Sequence, residues 1–215
     1  MAPPNGLKTH LLFSKLLMSV EYNIMEQRVI TLFHESIEAK MHAGEQLAPL
    51  IAQASHCIVE ALLNEKKVLT CGNGISAAHA HIFTANLMNS LEQERPSLPA
   101  ISLGTDVISN ADNANTNDMY AKQIRTLGQA GDVLLLVTTT GTAGNLLQAI
   151  SAAHDKHMQV IALTGRDGGD VAALLDAQDI ELRVPVTAKH RIHEVHLLTL
   201  FCVCDLIDQQ LFGGF

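Results

Sequence analysis

Tryptophan is absent from the 215 residues, and aromatics make up only 4% of them. The core must therefore be aliphatic, and the stacking platforms that hold single-stranded nucleic acid are not evident. Basic residues are scarce: 14 Lys and Arg stand against 22 Asp and Glu, a formal net charge of −8. Phosphate backbones repel such a chain, which argues against direct DNA or RNA binding. Apolar residues reach 47%, yet the longest uninterrupted runs are strand-sized, so no membrane-spanning helix is expected. Cys57, Cys71, Cys202 and Cys204 show no CxxC spacing. Buried free thiols in a reducing cytoplasm are the expectation, not a disulfide or a metal site. Internal repeats, low-complexity tracts and linkers are missing too. The length suits one α/β domain.

The first 24 residues hold Leu11-Leu12-Phe13 and Leu16-Leu17-Met18, interrupted by Lys15. Without a small-residue cleavage site they do not read as a signal peptide. They are expected to form a poorly ordered extension, or one not native to the protein, ahead of a domain over 25–215. From Met25 the pattern is helical. Ile30, Phe33, Ile37 and Met41 predict a helix over about 26–42, and Leu47, Ile51, Ala54, Ile58 and Leu62 a second after Gly44.

Strands and helices then alternate. Strands are predicted over 68–71, 100–103, 133–137, 160–163 and 180–184. Helices are predicted over about 76–91, 119–128, 144–156 and 189–211. A polar loop rich in Asn and Asp, 106–118, is a candidate rim for a site. Fully apolar strands alternating with helices predict a doubly wound parallel sheet of five strands, flanked by helices, with N-terminal helices ahead of it. Ligands of such sheets sit at the carboxyl ends of the strands.

Two loops lie at such ends. Cys71-Gly72-Asn73-Gly74-Ile75-Ser76 follows the first strand, and Thr138-Thr139-Thr140-Gly141-Thr142 follows the third. Each is a Gly/Ser/Thr turn leading into a helix, where N–H groups and hydroxyls favour phosphate. Either loop alone is equally well explained by a tight turn and a Ser76 helix cap. The pair together points to phosphate recognition. The GxGxxG spacing fails, so a dinucleotide is not implied.

Several runs together resemble the sugar isomerase (SIS) family: Cys71-Gly72-Asn73-Gly74-x-Ser76, Glu94-Arg95-Pro96-x-Leu98-Pro99-Ala100-Ile101, Gly131-Asp132-Val133-Leu134-Leu135, Ala162-Leu163-Thr164-Gly165-x-Asp167-Gly168-Gly169 and Arg191-Ile192-x-Glu194-x-His196. The similarity spans about 25–212 and is to the branch holding phosphoheptose isomerases and DnaA initiator-associating proteins. Tyr120-Ala121-Lys122-Gln123 and Cys204-Asp205-Leu206-Ile207-Asp208-x-x-Leu211-Phe212 lean towards the second group. The resemblance implies a five-stranded SIS fold and a homotetramer in the cytoplasm. It also implies DnaA as a partner, with no cofactor and no membrane.

Aldose–ketose isomerisation needs a positioned acid and base. In the isomerases a His-Phe-x-x-Glu run supplies the carboxylate. Here it reads Ile82-Phe83-Thr84-Ala85-Asn86, so an amide replaces the glutamate. By the same resemblance, Phe201 stands at the catalytic histidine, His193 at a glutamine that helps hold substrate or metal, and His190 at a nearby aspartate. The expectation is a catalytically silent site that keeps a phosphosugar pocket of Gly72, Asn73, Gly74, Ser76, Thr138, Thr139, Thr140, Thr142 and His193. Ala143 has no hydroxyl where the isomerases have serine. The other reading is a sedoheptulose 7-phosphate isomerase with a rearranged set using His193 or His196.

Eleven histidines raise the question of metal. His79 and His81 point to different faces of a helix, whereas His190, His193 and His196 recur every third residue. With Asn86 and Phe201 at the family positions, satisfied pocket or interface histidines are expected and no metal site. Glu194 reads as a salt-bridge or cap partner. Leu211 and Phe212 either tuck into the fold or form an anchor for a partner; the resemblance favours the anchor.

Overall fold

A computed structural model describes the backbone of residues 5–92, 94–104 and 116–213, with side chains from Tyr22 onward except Thr116. Residues 1–4 and most of the loop read over 106–118 fall outside the described residues.

The first helix, α1 (Asn5–Leu63), does not stop at Gly44 and also carries Pro49 inside it. Two helices expected from the sequence are therefore one. A glycine in a helix interior costs only about 0.5–1 kcal/mol relative to alanine, which favourable neighbours absorb. Residues Met1–Met41 and His42–Phe215 form two compact units. Within the first, Ile30, Phe33, Ile37 and Met41 do recur at helical spacing, but all are exposed. Within the second, Ala43, Leu47, Ile51, Ala54 and Ile58 are buried at the same spacing.

After α1 come β1 (Val68–Gly72), α2 (Ile75–Asn89) and β2 (Ala100–Ser102). A 3-10 turn at Thr116–Asp118 leads into α3 (Met119–Leu127). Then follow β3 (Val133–Val137), α4 (Gly144–Asp155), β4 (Gln159–Gly165), α5 (Gly169–Leu174), β5 (Ile180–Val184) and α6 (Lys189–Phe212). The short α5 is not among the helices expected from the sequence; its glycine-rich start hides it from propensity.

The five strands form one parallel sheet in the order β2-β1-β3-β4-β5. All five residues of β1 and of β3 are buried. Leu69, Cys71, Leu134, Leu136 and Val160 share one cluster with Tyr120, Ile124, Leu146 and Ile150 of α3 and α4. Thr70, between Leu69 and Cys71, instead meets Thr84 of α2, with hydroxyls 2.8 Å apart. Alternation along a strand therefore puts α2 on one face and α3 with α4 on the other. By length and hydropathy alone Tyr22–Leu63 and Lys189–Phe212 could cross a bilayer. Yet α6 places Ile192, Val195, Leu200, Val203 and Ile207 in the core.

Asp132 ties the amino ends of β1 and β3 together. It is fully buried and accepts from the Lys67 ammonium at 2.6 Å, the Lys67 amide at 3.0 Å and the Gln129 amide at 2.9 Å. Asp132→Ala strands these donors and is expected to cost about 2–4 kcal/mol in chemical denaturation.

Candidate functional site

Reversal of strand order between β1 and β3 opens a crevice at their carboxyl ends. Gly72 and Val137, the last residues of the two strands, are register partners. Each Gly/Ser/Thr loop leaves the carboxyl end of its strand, as expected from the sequence, and the pairing of β1 with β3 sets the two side by side.

The first loop turns sharply. A Cβ on Gly72 would lie 2.7 Å from the backbone of Ser76. Gly74 has φ +57° and is the N-cap of α2, with no side-chain cap. Ser76 is thus not the cap that its position suggested; it lies inside the first turn and is buried. The Ser76 and Ala77 amides donate back to the carbonyls of Asn73 and Gly74, both at 3.1 Å. The Tyr120 hydroxyl donates to the Gly72 carbonyl from below. Burial pushes that phenol up to about 12, so it remains a donor.

The second loop is held by glycines. The Thr138 hydroxyl accepts from the Gly141 amide at 3.1 Å. Thr138 and Thr139 are buried, Thr140 is half-buried and Thr142 is exposed. The Thr140 and Thr142 hydroxyls lie 3.3 Å apart. Gly141 has φ +67°, and a Cβ there would sit 1.9 Å from the Gly168 carbonyl oxygen. The Val171 amide closes the contact by donating to the Gly141 carbonyl at 2.9 Å.

A link between the loops was not read from the sequence. The amides of Asn73 and Asn145 bond reciprocally, at 2.8 and 2.9 Å, across 72 residues. Asn145 is the second residue of α4, an ordinary helix start in the sequence; only the parallel sheet brings it to Asn73.

Further along, α2 and α6 meet in a seam of polar side chains. His79 of α2 and His193 of α6 lie edge to face with ring centroids 5.2 Å apart. His81, two residues from His79, is exposed. His193 and His196 differ in their bonding. His196 is fully buried and its Nε2 donates to the Thr164 carbonyl at 2.8 Å. Both nitrogens of His193, Nδ1 of His79, Nδ1 of His196 and the Asn86 amide nitrogen are buried without a protein partner among the described residues. The expectation of histidines satisfied within the pocket is corrected for these atoms: the rings pack, and His196 bonds Thr164, but these nitrogens do not pair with protein among the described residues. Two helices crossing place such atoms together, which spacing along one helix cannot reveal. Phe201 is half-buried on the same helix. The Glu194 carboxylate accepts from Arg191 at 2.6 Å, the salt bridge expected of it.

Burial favours the neutral imidazole throughout the seam. It lowers His79, and it lowers His193 with help from His79 and Lys189. His196 falls to about 4, chiefly through burial, against the Thr164 hydrogen bond that opposes the shift.

At the other end of the molecule, a cavity of about 810 Å³ is lined by Cys57, Glu60, Lys66, His154 and Asp179 among others, and shares no residue with either loop. Its His154–Asp176–Asp179 group is bonded internally. Asp179 accepts from His154 at 2.8 Å and from the Val160 and Asp176 amides at 2.9 and 2.8 Å. Leu211 is half-buried, and Phe212 is 46% exposed at the end of α6.

Gly141→Ala should disrupt the crevice, because both a left-handed φ and a carbonyl clash oppose it. The cost is expected to exceed about 3 kcal/mol, against about 1 kcal/mol for Gly74→Ala, where the space is open; thermal unfolding of both variants checks this. A pH effect is also expected. Between about pH 6.5 and 4 the unfolded chain takes up a proton that folded His196 does not. Stability therefore falls as the pH drops through that window. His196→Gln should flatten that portion of the pH–stability curve in denaturant titrations.

The SIS domain family model matches residues 32–165. A phosphoheptose isomerase of Chromohalobacter salexigens is 52% identical over 192 residues, covering 88% of this chain and 98% of the relative. The DnaA initiator-associating protein DiaA of Escherichia coli O1:K1 / APEC is 47% identical over 191 residues, covering 87% and 97%. The solved phosphoheptose isomerase of Francisella tularensis superposes with a TM-score of 0.81 at 44% identity, over 85% of this chain and 97% of that one. With the crevice between β1 and β3 built as described, the chain belongs to the SIS-domain family, among relatives named phosphoheptose isomerase and DiaA.

Proposed function

We propose that this chain is a non-catalytic SIS protein of the cytoplasm that binds DnaA and promotes its assembly at the chromosomal origin. The observation that carries the reading is the residue type at two positions. An amide, Asn86, and a phenyl, Phe201, stand at the two positions that resemblance assigns to proton transfer. Neither carries a proton between adjacent carbons at neutral pH, and each lost acid–base group costs roughly a hundred- to ten-thousandfold in rate. Likeness to DiaA over 87% of the chain supports DnaA as partner.

In this reading the crevice retains phosphosugar affinity. Gly72, Asn73, Gly74, Ser76 and the threonines 138, 139, 140 and 142 form the phosphate end. The unpartnered nitrogens of His193 and His79 meet sugar hydroxyls. Leu211 and Phe212 form the DnaA contact. The exposed apolar stripe of Ile30, Phe33, Ile37 and Met41 suits burial between copies of the chain, in keeping with a homotetramer. Several copies would hold several DnaA molecules and raise their effective concentration. At −8 net charge, the assembly would reach DNA through DnaA and not directly.

One observation favours a second reading. The His79–His193 pair brings two imidazoles lowered towards neutrality into contact, and neutral imidazole is a competent base. A sedoheptulose 7-phosphate isomerase with that altered set is the alternative. Incubation with sedoheptulose 7-phosphate separates the two. No conversion is expected, while immobilised protein retains purified DnaA; robust turnover, or failure to retain DnaA, would reverse the choice.

A further inference from the structure

Phe212 ends α6 with its side chain 46% exposed. Arg95, from the connection between α2 and β2, lies against it. The Arg95 side chain is 4% exposed, and its Nε donates to Asp208 of α6 at 2.7 Å. Nη1 donates to the carbonyls of Leu87 at 2.7 Å and Pro96 at 3.1 Å, and Nη2 to that of Asn86 at 2.9 Å. These bonds hold the guanidinium to the carboxyl end of α2. Its Cζ lies 5.8 Å from the centroid of the Phe212 ring.

Asp208 and Phe212 are four residues apart and share a helix face. One guanidinium therefore grips the first through its edge and supports the second. We infer that Arg95 is a positioning residue of the docking surface, setting the direction in which Phe212 meets its protein partner. This rests on the reading of Phe212 as a DnaA contact. The physical gain is preorganisation: an aromatic held on a fixed cation gives up less freedom when a partner closes over it. A lysine at 95 keeps the charge but has neither the planar fork nor the stacking surface.

The test is a double-mutant cycle on full-length protein, reading its affinity for purified DnaA. Arg95→Lys is expected to weaken binding about fivefold with Phe212 present, and to change nothing further in a Phe212→Ala background. Asp208→Asn, which weakens the grip on Arg95 without emptying the site, should follow Arg95→Lys in direction. Far-ultraviolet circular dichroism and thermal unfolding confirm that each variant is folded. If Phe212→Ala binds as tightly as the parent, the docking reading fails and this inference with it. If Phe212→Ala binds weakly but Arg95→Lys matches the parent, Arg95 alone is removed. Losses that add in the double variant would show that Arg95 acts through the fold and not through Phe212, which also overturns the inference.

Discussion

Everything at the crevice depends on β1 and β3 running side by side in register to their last residues, Gly72 and Val137. A parallel sheet sends successive helices to either face, and the order reverses between these two strands. The helices therefore part there and leave two loop ends uncovered. The close approaches around them follow. Gly72 lets the chain turn back on Ser76, and Gly141 lies beneath the carbonyl of Gly168. Side chains at either point would force the loops apart. The Asn73–Asn145 pair then joins two segments that only the strand pairing brings together.

Beside this end lies a seam in which several buried nitrogens have no protein partner among the described residues. Buried nitrogens without partners are costly, and proteins retain few of them. Here they gather where α2 crosses α6, on His79, Asn86, His193 and His196. Hydroxyls of a bound sugar would satisfy them. In the proposed function, Asn86 and Phe201 stand where the resemblance places the groups that move protons between carbons. On that proposal, recognition and turnover would draw on different side chains, and one could persist without the other.

The C-terminal end of α6 has a different chemistry. Arg95 ties it to the carboxyl end of α2 through backbone carbonyls and Asp208, with Phe212 against the guanidinium. A side chain at a helix terminus thereby gains a fixed support that helix geometry alone does not supply. The open seam and the aromatic terminus meet at the same short stretch of α2, since Asn86 offers its side chain to the first and its carbonyl to the second.

Much of the architecture was legible in residue order. Runs at Val68–Gly72 and Val133–Val137 read as strands because they are almost wholly apolar and carry no charge, and alternation with amphipathic helices implies a parallel sheet. The loops were legible because Gly, Ser and Thr cluster after those runs. Gly44 misled because a single glycine weakens a helix without ending it, and Ser76 misled because Gly74 already takes the cap. The sequence by itself determined the element order, the loops and the amide and phenyl at positions 86 and 201, since these are properties of residue types and local spacing. Only the tertiary structure decided that Asn145 meets Asn73, that His79 faces His193 and that Arg95 underlies Phe212. Each joins segments far apart in the chain, and no local preference of the backbone specifies which distant side chain will arrive.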